Sequence, residues 1–307
     1  MSKSSQRNAY GEELLAICRE NNDVVVLDAD LCGGTQAIQV EKGKPESFYE
    51  MGIGEQNMIS VAAGLALAGK IPVANSFAVF VGGRSFEQIR QSVCLPELNV
   101  KVVGASCGLS DFADGATHQA FEDVAIMRVL PHMTIFSPAD AREARKAIRT
   151  AVGRRGPCYI RINRNELPDV TAPDTPLEIG KPSLMADGGD VAICASGHMV
   201  ALSLAARDIL AGQGVRARVL NFATIKPLDP AAVRAALGPC PRILTVEEHS
   251  VIGGLGAAVL EALADHPLPL RRHGIRDTYG ESAEKYERIL AKHGLTAERI
   301  AEEALAK

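Results

Sequence analysis

Apolar residues recur along this chain in two alternating rhythms. Over residues 7–20 they fall at Tyr10, Leu14, Leu15 and Cys18, the spacing of an amphipathic helix. Asn21-Asn22-Asp23 breaks that rhythm, and Val24-Val25-Val26-Leu27 follows as an unbroken, mostly β-branched run. Such a run predicts a strand buried on both faces of a parallel sheet. It leads into Asp28-Ala29-Asp30-Leu31-Cys32-Gly33-Gly34-Thr35, polar and rich in glycine. Ligands of open α/β sheets collect at such carboxyl ends of strands. The alternation continues with strands predicted at 71–77, 100–104, 133–136 and 158–162. Helices are predicted at 84–93, 121–129 and 141–152, and a long loop at 105–119.

Residues 167–183 carry Pro168, Pro173, Pro176 and Pro182 among Asp and Thr with little periodicity, the composition of an interdomain linker. A second alternation follows, with strands at 190–194, 217–220 and 242–246. Its helices are predicted at 199–211, 230–236, 257–264, 283–290 and 296–306. The expected fold class is α/β, with two doubly wound three-layer domains at 1–168 and 184–307 joined by a linker at 169–183. A chain of 307 residues is long enough for two cores.

Composition removes some classes of function. A net charge of -4 argues against nucleic-acid and membrane-surface partners, which call for basic patches. No apolar run follows Met1-Ser2-Lys3-Ser4-Ser5 and none spans a bilayer, so the expected location is cytoplasmic. The seven cysteines are scattered and never form C-x-x-C, which fits reduced thiols. No set of His, Cys and Glu has metal-ligand spacing, so no metal is expected on this chain. Phosphate-loop, dinucleotide and nucleophile-elbow motifs are also missing.

Three stretches carry candidate chemistry. In Met51-Gly52-Ile53-Gly54-Glu55-Gln56-Asn57-Met58, one carboxylate stands at the start of an apolar, small-residue helix. Glu55 either caps that helix or, with no Lys or Arg within four residues, exchanges protons from a partly buried position. In Phe77-Ala78-Val79-Phe80-Val81-Gly82-Gly83-Arg84, two rings either clamp a flat heterocycle or pack the core. In Asp114-Gly115-Ala116-Thr117-His118-Gln119, His118 either relays protons or sits on a surface turn. Asp30 faces a ligand or forms an Asx turn, and Arg7 and Arg164 bind an anion or are solvated. His198 and His249 read as structural residues, His198 at a helix start and His249 in a loop.

Taken in order, D-A-D-L, G-I-G-E-Q-N-M, S-F-A-V-F, D-G-A-T-H-Q, S-P-A-D, I-K-P-L-D and V-E-E-H-S-V-I-G-G-L-G resemble the thiamine-diphosphate-dependent transketolases over nearly the whole chain. The resemblance is to the C-terminal half of a transketolase made as two subunits. It implies a pyrimidine-binding domain followed by a transketolase C-terminal domain. The G-D-G motif that holds Mg²⁺ and the diphosphate in that family is absent here, which implies a partner subunit carrying it and a heterotetramer.

Residue by residue, the resemblance makes Glu55 the glutamate that hydrogen-bonds the aminopyrimidine, so that a ring nitrogen can take the proton from thiazolium C2. It places Phe77, Phe80 and Gly83 around the pyrimidine, and Asp30 and Leu31 near the thiazolium. Asp114 and His118 become donor-sugar contacts, with His118 handling hydroxyl protons, and Arg7 and Arg164 grip an acceptor phosphate. Ser106 stands where many transketolases have a histidine, and Gly83 where a larger residue is common; both point to an unusual sugar, branched or carrying another anion. The implied activity is transfer of a two-carbon ketol unit from a ketose to an aldose. Its alternatives are a 1-deoxyxylulose-5-phosphate synthase-like or 2-oxo acid dehydrogenase E1 beta-like subunit, or a non-catalytic regulatory subunit.

Overall fold

The structure is a computed structural model and describes residues 2–306. Among these, fourteen strands follow in chain order. They are β1 (Lys3–Ser5), β2 (Val24–Asp28), β3 (Phe48–Glu50), β4 (Ile71–Phe77), β5 (Lys101–Ala105), β6 (Thr134–Phe136) and β7 (Cys158–Ile162). Then come β8 (Glu166–Pro168), β9 (Ser183–Ala186), β10 (Val191–Ala195), β11 (Ala217–Asn221), β12 (Thr224–Lys226), β13 (Ile243–Ser250) and β14 (Leu270–Ile275). They form a seven-stranded sheet of order β12-β6-β7-β5-β4-β2-β3 and a five-stranded sheet of order β14-β13-β10-β11-β9. The short pair β1-β8 is antiparallel.

The valine run is β2, and it is buried along its whole length. Alternate residues serve opposite faces, as the two-residue period of a strand requires. Val25 and Leu27 pack with Met58, Ile59 and Met127, whereas Val24 and Val26 pack with Tyr10, Leu14 and Ile148. The second sheet repeats this, with Ile193 and Leu244 facing Met199 and Ile300, and Cys194 and Ile243 facing Val233 and Val259. Each large aliphatic side chain buried this way contributes about 1.5–3 kcal/mol, so both three-layer stacks have ample apolar drive.

Several expectations need correction. The helix expected at 84–93 starts earlier: a helix runs from Ala78 to Arg84 straight out of β4, and Ile89–Cys94 is a π-turn. The helix expected at 283–290 is Tyr286–Lys292. β13 continues through the segment expected to be a loop, so His249 lies on a strand and is fully buried. β9, β12 and β14 had no prediction. β12, from the second half of the chain, adds antiparallel to β6 and so completes the first sheet.

Candidate active site

The six neighbouring strands β6, β7, β5, β4, β2 and β3 are parallel, so their carboxyl ends lie on one edge. Asp30, Leu31, Glu55, Phe77, Phe80, Gly83, Ser106, Asp114, His118 and Arg164 all belong to segments leaving that edge. Arg7, in the first turn of the helix Gln6–Glu20, reaches it from the helix that precedes β2.

Glu55 opens the helix Glu55–Leu67, with Gly54 as its cap. Free N–H groups and the positive end of the helix dipole favour a carboxylate there. The side chain is only 3% exposed. Its Oε1 accepts from Ser76 Oγ at 3.4 Å. No Lys or Arg stands within four residues of Glu55 in the sequence, but one reaches it in space: Arg84 Nη1 donates to Oε1 at 3.0 Å and to Oε2 at 3.2 Å. The pair is twenty-nine residues apart in sequence and meets only because the helix Ala78–Arg84 turns back past the Glu55 helix. Arg84 also lies over Phe80, with Cζ 4.2 Å from the ring centroid, a cation–π contact.

Phe77 and Phe80 are stacked, with centroids 6.0 Å apart and planes 18° apart. His118 stands edge-on to both, 5.2 Å from the Phe80 centroid and 6.4 Å from that of Phe77. Thr117 Oγ1 lies 3.0 Å from His118 Nδ1. Phe77 needs Gly34 beside it, because a Cβ there would sit 2.8 Å from the ring. Gly34 is in turn held by its N–H to the Leu31 carbonyl at 2.7 Å, and its own carbonyl accepts from Arg7 at 3.4 Å.

Arg164 Nη1 donates to Asp111 at 2.7 Å and lies 3.6 Å from Asp114. Burial and the Arg164 charge pull the Arg7 pKa down, and Asp111 partly offsets them. The two arginines therefore share one field around Asp111. Contacts thus run from Arg7 through Gly34, Phe77, Phe80 and Arg84 to Glu55, with His118 edge-on to the two rings.

The other candidates stand apart from that line. Asp30 has a left-handed backbone, φ 60°, and an exposed side chain; its N–H donates to Glu50 at 2.9 Å. Behind it, burial pushes the Asp28 carboxyl up to about 7. Gly83 is exposed, and a side chain there would meet open space. Ser106 is also left-handed, φ 52°, and its buried Oγ has no hydrogen-bond partner. Arg84 and Asp111 were missed by sequence reasoning, although Arg84 ends the very stretch that carries the two rings.

Ile53, Gly54, Glu55, Gln56, Asn57 and Arg84 line an open cleft of about 500 Å³. The arrangement offers a buried carboxylate, an aromatic wall, an imidazole at its edge and two arginines at the far end. Such a set can hold a flat ring by stacking and a charge-assisted hydrogen bond, move a proton beside it, and bind an anion.

Known proteins resemble this chain over most of its length. The family described as "Transketolase, pyrimidine binding domain" matches residues 2–170, and "Transketolase, C-terminal domain" matches 180–300. The 6-deoxy-6-sulfo-D-fructose transketolase subunit of Clostridium sp. is 41% identical over 295 residues, covering 96% of this chain and 91% of its own. An apulose-4-phosphate transketolase subunit of Phocaeicola vulgatus is 38% identical over 300 residues, covering 97% and 96%. A solved structure described as a split gene transketolase, an inactive β4 tetramer, superposes with a TM-score of 0.88 at 42% identity, covering 99% of each chain. The chain therefore belongs to the transketolase family, as a subunit of the split type that carries the pyrimidine-binding and C-terminal domains.

Proposed function

We propose that this chain supplies the pyrimidine half of a thiamine diphosphate site, and that a partner subunit with the G-D-G motif supplies the half that holds Mg²⁺ and the diphosphate. The observation that carries the reading is Glu55: a buried carboxylate on a helix end, beside two stacked rings, opening into a cleft. That set fits the aminopyrimidine end of the cofactor. In this reading the other end of the cofactor, with its metal, belongs to the partner subunit. Beside the cleft the helix Glu55–Leu67 leaves Val61 and Leu67 exposed, with Ile53 just ahead of it, a surface suited to that partner. The similar split-gene chain described as inactive in a β4 tetramer supports the same division.

When bound, the cofactor supplies the carbon nucleophile for moving a two-carbon ketol unit from a ketose to an aldose. Glu55 shares a proton with the pyrimidine, Phe77 and Phe80 hold the ring flat, and the open space at Gly83 leaves room at its edge. Asp30 and Leu31 border the thiazolium side. His118 and Asp114 orient the donor hydroxyls, with His118 passing protons, while Arg7 and Arg164 hold the sugar's anionic end. Ser106, buried with an unpartnered hydroxyl, is assigned to the donor pocket by its place in the sequence. Relatives named for a sulfo-sugar and for apulose 4-phosphate support an anionic sugar outside the common set. The working assembly in this reading is a cytoplasmic heterotetramer, in keeping with seven free cysteines. Among the described residues no helix is long and apolar enough to cross a membrane.

Glu55→Gln tests the reading: with the partner present, ketol transfer is expected to fall by about 10²-fold or more. Near-normal turnover would return Glu55 to a helix cap.

A further inference from the structure

The loop that carries Asp111, Asp114 and His118 is held by the C-terminal domain as well as by its own. Glu248, on β13, accepts the Leu109 N–H at 2.7 Å and the Tyr286 hydroxyl at 2.6 Å, and it is buried. Gly108 has no room for a side chain, because a Cβ there would run into the Glu248 carboxyl. At the other end of the loop, Ser250 N–H donates to the Phe121 carbonyl at 2.6 Å.

Between these points one short turn grips the loop three times. Ala283 N–H donates to the Phe112 carbonyl at 2.8 Å, and Gln119 Nε2 donates to the Glu281 carbonyl at 2.9 Å. Gly115, in the left-handed region, packs against Ser282. Gly280 is the tightest contact: any Cβ would overlap Gln119 Oε1 and press on Leu109. Gln119 adjoins His118, whose imidazole stands edge-on to Phe80.

We infer that Gly280–Ala283 and Glu248 form a clamp by which the C-terminal domain positions the His118 loop for the sugar, with Glu248, Gly280 and Gln119 as positioning residues. This rests on the proposed sugar-binding role of His118 and gives the C-terminal domain a part in the reaction without touching cofactor or substrate. Loop geometry of this kind matters because a misplacement near 1 Å can cost about 10²-fold in rate.

The test is a double-mutant cycle in the reconstituted two-subunit enzyme, with fructose 6-phosphate as the donor probe. Gly280→Ala is expected to raise the donor KM about tenfold or more while thiamine diphosphate affinity stays within about twofold, and adding Gln119→Ala, which relieves the overlap but gives up the Glu281 hydrogen bond, is expected to bring KM back in part, to within about threefold of the parent enzyme. Should the single variant fold poorly, Glu248→Gln and Glu248→Ala serve instead, the glutamine retaining most of the affinity that the alanine loses. In parallel, the His118 imidazole NMR signal of the free chain, shifted by the Phe80 ring, should move in Gly280→Ala and return in the double variant. An unchanged KM and an unmoved His118 signal, or no rescue by Gln119→Ala, would overturn the clamp. If His118→Ala itself leaves the donor KM unaltered while the His118 signal still moves, the clamp stands and the sugar role of His118 is what fails.

Discussion

At Glu55 three local facts act together: a helix start, near-complete burial and a cation that comes from elsewhere in the chain. Arg84 is half exposed, so its pair with Glu55 is worth less than a buried one, yet removing it strands a buried carboxylate. Arg84→Ala is expected to lower stability by about 1–2 kcal/mol in urea unfolding, where an unaltered midpoint would mean that solvent already serves Glu55. Glu55, the ring pair and His118 were legible in the sequence because each sits in a short, ordered motif. Arg84 was not, since pairing across twenty-nine residues depends on how two helices cross. Ser106 and Gly83 were legible as departures, but their surroundings were not: one is a buried unpartnered hydroxyl and the other borders open space.

The element that most revises the sequence reading is β13. The stretch Glu247-Glu248-His249-Ser250 is so polar that it reads as a loop, yet it continues the strand in the interior. It can do so because every polar group finds a partner. Glu247 takes the N–H groups of Leu255 and Gly256 at the start of the helix Leu255–Ala262, and His249 Nε2 accepts from Ala125 N–H. Gly253-Gly254-Leu255-Gly256 is therefore a seat for a carboxylate. Gly254→Ala would force a Cβ onto Glu247 and His249, and a loss of about 1–3 kcal/mol in urea unfolding is expected, with a neutral result contradicting this packing.

The same strand predicts a pH dependence. Burial pushes Glu247 and Glu248 up to about 7 and takes His249 down to about 4. A carboxyl raised above its unfolded value of about 4.3 favours the fold fully below that pH and loses the contribution as pH rises through about 7. His249 acts in the opposite sense: its contribution is present above about 6.5 and lost as pH falls through about 4. Stability from these three groups is therefore expected to decline as pH rises from about 4.3 to about 7, with His249 offsetting part of the fall below about 6.5, and Glu248→Gln to flatten that decline in urea titrations at several pH values. An equal slope in the variant would mean that Glu248 keeps its proton balance on folding.

For the whole molecule, the α/β class and most of both sheets follow from the strand runs, because buried parallel strands write themselves as β-branched stretches. The edge strands β9, β12 and β14 did not, being short or carrying charge, as Leu270-Arg271-Arg272-His273 does in β14. β12 shows the limit most clearly. It belongs to the second half of the sequence and pairs with the first sheet, so the two halves share a sheet as well as the clamp on the His118 loop. The edge that carries the candidate site is consequently built by both, and in the proposed reading its metal-binding side lies on another chain.

That division is the central claim, and cofactor binding tests it most directly. Titration calorimetry with thiamine diphosphate and Mg²⁺ would be run on this chain alone, on the G-D-G partner alone and on their mixture, with ketol transfer assayed in each. Tight binding and turnover are expected in the mixture only. Tight binding with full turnover by this chain alone would contradict it.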